Sequence, residues 1–86
     1  MIHRSDLPYY QDDWKKLAGE LGDLRYDALT DFLSALGDKM ELDAGKDEAR
    51  GREKLASELH ETAAQLRGAS DAAAKAWAIC APFMKD

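Results

Sequence analysis

The sequence predicts an all-α protein, and three observations carry that prediction. The two prolines, Pro8 and Pro82, stand near the ends of the 86-residue chain and leave everything between them free to be helical. Valine is absent and isoleucine occurs only at Ile2 and Ile79, so strand-favouring residues are missing where a sheet needs them. Leu55, Leu59, Thr62, Leu66, Ala69, Ala73, Ala76 and Cys80 recur in alternating steps of four and three, which places small or apolar side chains on one stripe of a helix. The expected architecture is a small antiparallel helical bundle of three helices, the last one long. The alternative is a two-helix hairpin that dimerises into a four-helix bundle. Either way residues 1–86 form a single helical domain, with residues 1–7 expected to be mobile. A chain of this length buries only about 60–65 % of the surface its unfolded form exposes, so its core is marginal.

The first helix is expected to follow Ser5-Asp6-Leu7-Pro8. Ser5 or Asp6 is a candidate N-cap, and Pro8 is tolerated in the first turn. Asp12 and Asp13 then fall early in the helix, where carboxylates suit the positive end of its dipole. Tyr10, Trp14, Leu17 and Leu21 follow at helical spacing, and Gly22-Asp23 can end this helix and cap the next. The second helix carries a broad apolar face of Leu29, Phe32, Leu33, Leu36 and Met40. A turn is expected at Asp43-Ala44-Gly45-Lys46. The last helix is then placed from about Asp47 to about Ala81, with Glu48 pairing with Arg52 one turn on and Pro82 stopping it. Folding the chain back about that turn brings Leu36 near Leu55, Phe32 near Leu59, Leu24 near Leu66 and Leu21 near Ala69. Trp14 and Leu17 come near Ala73 and Ala76. The leucine half of the stripe thus meets apolar partners, and its alanine half meets large ones. The last helix is expected to run on through Gly68, with a kink there as its weak point.

Charge and composition narrow the function. The net charge is −5, and Lys46, Arg50, Arg52 and Lys54 are interleaved with Asp47, Glu48 and Glu53 as a solvated, salt-bridged face. Such a surface does not suit a phosphate backbone or an anionic membrane, so neither a nucleic acid nor a membrane is expected as partner. Met1-Ile2-His3-Arg4-Ser5-Asp6 leads into charge rather than an apolar segment, and no apolar stretch is long enough to cross a bilayer, so a cytoplasmic protein is expected. Cys80 is the only cysteine, which rules out an intramolecular disulfide, and its apolar neighbours mark it as a small buried hydrophobe.

No motif for catalysis or for a cofactor stands out. His60-Glu61 begins a zinc-protease pattern, but Ala64 occupies the place of its second histidine. The Glu-x-x-His of di-iron bundles fails because Ser57 precedes His60 by three. Neither a metal nor any other cofactor is therefore expected, and His60 reads as solvent-facing. No glycine-rich phosphate loop and no activated serine is present. The chain is expected not to be an enzyme but a protein–protein interaction or regulatory module. It would act through helical surfaces on an unidentified protein and on a second copy of itself. Leu29 and Leu33 flank the Phe32–Leu36 seam as natural docking points for that copy. Tyr9, Tyr10, Trp14, Trp77 and Phe83 complete the candidate interface, because tyrosine and tryptophan dominate contact energies. The alternative is a binder of a small hydrophobic ligand or cofactor, with a pocket between Trp14, Leu17, Ala73 and Trp77.

Overall fold

The computed structural model describes Leu7 and residues 13–84, and within them the protein is all α. Helix α1 spans Trp14–Gly22, α2 Tyr26–Ala49 and α3 Glu53–Cys80, followed by a 3-10 turn over Ala81–Phe83 that contains Pro82. The three-helix order with the longest helix last is as expected, and so are the break after Gly22, the unbroken passage through Gly68 and the stop before Pro82. Ser5, Asp6, Pro8, Tyr9, Tyr10 and Asp12 lie outside the described residues, as does most of the segment 1–7. Helix α1 begins later than anticipated. Asp13 is its N-cap rather than a residue of its first turn, and its carboxylate accepts the Lys16 amide at 2.8 Å. Asp23 closes α1 through its amide, donated to the Gly19 carbonyl, but it does not cap α2. There Arg25 precedes the helix, and Asp27 in the first turn takes the Ala28 amide and both arms of the Arg25 guanidinium.

The hairpin of α2 and α3 is the body of the molecule, and α1 has only sparse contact with either helix among the described residues. The turn expected at Asp43–Lys46 is instead continuous helix. Helix α2 runs to Ala49, and Asp43, Ala44 and Asp47 are buried within it. The chain reverses at Arg50-Gly51-Arg52. Gly51 has φ +78°, its amide donates to the Glu48 carbonyl, and the Arg52 amide donates to the Asp47 carbonyl at 2.8 Å. These are the two bonds of a Schellman cap, whose left-handed residue is favourable only for glycine. The last helix accordingly starts at Glu53 rather than Asp47. Glu48 does not pair with Arg52; that arginine reaches back to the buried Asp47 at 3.2 Å.

Moving the turn changes every pairing along the hairpin. The residues that face each other are small and seven apart: Thr30, Gly37 and Ala44 on α2, and Ala56, Ala63 and Ser70 on α3. Ala44, Ala56 and Ala63 are fully enclosed. At Gly37 an added Cβ would lie 3.5 Å from the Ala63 carbonyl and 3.6 Å from the Leu66 Cβ, and the Ser70 hydroxyl donates to the Thr30 carbonyl at 2.9 Å. Contacts of that kind require the helix axes to approach to about 8 Å, the close end of the usual range. The stripe beginning at Leu55 is therefore not the intramolecular seam. It lies one residue to the side, so that Leu55 (46 % exposed), Thr62 and Ala69 face water while Leu59, Leu66 and Ala73 are half-buried. The expected pairs Leu36–Leu55 and Phe32–Leu59 are replaced by Gly37 beside Ala63, and Phe32 is turned outward.

The glycines yield a contrast in stability. Gly45 and Gly68 sit inside helices with nothing within 4 Å of an added Cβ. Gly45→Ala and Gly68→Ala should each stabilise the fold by about 0.5–1 kcal/mol, through higher helix propensity and a less flexible unfolded chain. Gly51→Ala should destabilise it by about 1 kcal/mol, because alanine is strained at that positive φ. Thermal melts of the three variants test the ordering, and an unaffected Gly51→Ala would mean the turn does not need its left-handed residue.

Candidate functional site

The hairpin has two unlike flanks, both set by which residues lie beside the small-residue seam. One flank is polar. His60 of α3 contacts the Glu41 carboxylate of α2 through Nδ1, and its Nε2 lies 3.7 Å from Glu48. Two turns further along α3, Arg67 bridges Asp38 at 3.1 Å and Glu41 at 3.3 Å. Hydrogen bonding to Asp38, with help from the Glu41 charge, holds the Arg67 guanidinium above its ordinary value. His60 is thus engaged across the hairpin rather than simply solvent-facing. Exposed pairs of this sort contribute little energy each, but they lock the rotation of α3 against α2.

The other flank is apolar and is the strongest candidate for a functional surface. It carries Leu29, Leu33, Leu36 and Met40 from α2 and Leu59 and Leu66 from α3, all half-buried. Two helices share a single line of contact, so side chains one position off that line stay partly in water unless another layer covers them. Leu29 and Leu33, expected at the interface, are both found here. Among the described residues no large side chain of the protein is fully buried.

The remaining candidates are spread over the open end. Trp14 is 58 % exposed at the start of α1, and Phe83 is 83 % exposed in the 3-10 turn. Trp77 is half-buried at the end of the seam, where the Arg25 guanidinium lies 5.3 Å from its ring centroid in a cation–π arrangement. Asp27 holds that same guanidinium, and the hydrogen bond from Arg25 keeps the Asp27 carboxyl below its usual range. A depressed carboxylate stabilises the fold above its unfolded value and loses that contribution as the pH falls through the folded one. Asp27→Asn should therefore lower the melting temperature at neutral pH, with the difference shrinking below about pH 4. A difference that did not change with pH would show that the Arg25–Asp27 pair contributes no charge-dependent stability.

A cleft of about 590 Å³ opens where the α1–α2 connection meets the C-terminal turn, lined by Leu24, Arg25, Tyr26, Cys80 and Met84 together with Gly22 and Asp23. Trp14, Leu17, Ala73 and Trp77, the residues expected to form a ligand pocket, do not line it. Cys80 is half-buried at its edge with a free thiol. Among the described residues no cluster of histidine, cysteine and carboxylate side chains is arranged to hold a metal, and no helix is long and apolar enough to cross a membrane.

The small-residue seam was present in the sequence as seven-residue spacings but is masked by the more conspicuous leucine stripe next to it. The chain matches no family model, and no curated protein or solved structure is significantly similar to it.

Proposed function

We propose that this protein is a non-enzymatic interaction module that acts through the apolar flank of its hairpin, with a second copy of the chain as its partner. The single observation that carries this is an unfinished core. Among the described residues the fully enclosed apolar side chains are alanines, while the leucines of the apolar flank stand half in water. The close α2–α3 seam and the polar flank then serve to present a rigid face to the partner.

Light scattering over a wide concentration range tests this. The expected mass is twice that of the 9.5 kDa chain, and Leu33→Asp should shift it to the monomer. A folded monomer at every concentration would overturn the proposal.

A further inference from the structure

We infer that the two copies pair antiparallel, α3 against the partner's α3, through the stripe Leu55, Leu59, Thr62, Leu66, Ala69 and Ala73. The inference rests on the self-association proposed above and adds its geometry. The stripe keeps the four–three spacing of a helix–helix seam, yet the hairpin covers only one edge of it, with Leu66 beside Gly37. Leu55, Thr62 and Ala69 are exposed, and Leu59, Leu66 and Ala73 are half-buried. The half-open stripe on this helix of 28 residues has the spacing that a second helix would fill.

The orientation follows from side-chain size. Run antiparallel about a two-fold axis midway between Thr62 and Leu66, the stripe is complementary to itself. Leu55 meets the partner's Ala73, Leu59 meets the partner's Ala69, and Thr62 meets the partner's Leu66. Each layer then holds one large and one small side chain, so the helices stay evenly spaced along the stripe. Run parallel, leucine meets leucine at one end and alanine meets alanine at the other, and the helices would have to splay. An isologous two-fold contact requires this kind of self-complementarity.

The second helix fits the same axis. In the hairpin Gly37 lies beside Ala63, so the axis passes at the level of Leu36. Leu36 then meets the partner's Leu36, and Leu33 falls beside the partner's Met40. Antiparallel pairing also puts both α2 helices on the same side of the α3 pair, because the apolar flank of each hairpin has the same hand. The product is a four-helix bundle in which every neighbouring pair is antiparallel.

The lone cysteine provides the test, since Cys80 ends α3 and lies 16 residues from the axis. At 1.5 Å per residue, the two Cys80 side chains of an antiparallel dimer are about 48 Å apart, whereas a parallel dimer brings them side by side. Spin labels on Cys80 should give a pulsed electron–electron distance near that long value. Mild oxidation of the unlabelled chain, which needs no modification at all, should yield no disulfide-linked dimer. A dimer with a short label distance, or one that readily cross-links through Cys80, overturns the antiparallel arrangement but leaves self-association standing. A monomer in light scattering under the same conditions overturns both.

Discussion

Ala63→Leu should be the most disruptive single substitution in the hairpin, lowering stability by about 3 kcal/mol or more. Ala63 is fully enclosed, and the space an ordinary side chain would need is taken by the α2 backbone at Gly37, where even an added Cβ would sit 3.5 Å from the Ala63 carbonyl. A leucine at this fully enclosed position has to push against α2, so the helices must separate. Separation strips Ala44, Ala56 and Ser70 of their contacts at once, because a seam of small residues has no long side chains to span a wider gap. A domain of this size holds about 4–13 kcal/mol in total, so the loss should appear as a fall of about 15 °C in melting temperature. Ala64→Leu is the matched control. It makes the same change in helix propensity one residue away at an exposed position, and should stay within about 0.5 kcal/mol of the parent. Equal effects of the two variants in urea unfolding would refute the close seam.

That contrast also explains which parts of the fold were legible in the sequence. The helical class followed from proline placement and missing β-branched residues, and the break after Gly22 followed from a glycine beside a capping candidate. The second turn did not follow. Gly45 and Gly51 are both plausible stops by local chemistry, and only one of them aligns Thr30, Gly37 and Ala44 with Ser70, Ala63 and Ala56. Turn position here is decided by long-range packing, which a reading of local signals does not contain. The seam was missed for a related reason. Leucines attract attention as core residues, but where backbones approach closely the enclosed positions go to glycine, alanine and serine, and the leucines are pushed to the flank. The aromatic end was legible only in part. Trp77 is anchored under Arg25, whereas Trp14 and Phe83 are exposed and lie outside the cleft.

Leu55→Asp separates folding from assembly and should have the largest effect on the latter. In the single hairpin Leu55 is 46 % exposed, has no role in the α2–α3 seam, and sits in the first turn of α3, where a carboxylate suits the helix dipole. The monomer should therefore fold as well as the parent, within about 0.5 kcal/mol. In the proposed dimer the same side chain packs on the partner's Ala73, and the two-fold axis makes every substitution count twice. Because each Leu55 is already half-covered in the hairpin, losing the two forfeits about 1.5–3 kcal/mol of association energy, a weakening of Kd by about 10–10², before the cost of confining two carboxylates is added. Sedimentation or light scattering of Leu55→Asp should thus find helical monomers at concentrations where the parent is dimeric, with circular dichroism unchanged. A surface leucine without a partner would behave differently, leaving both fold and mass as they were. The combination of an intact helix signal and a halved mass is specific to a stripe that the hairpin exposes and a second chain covers.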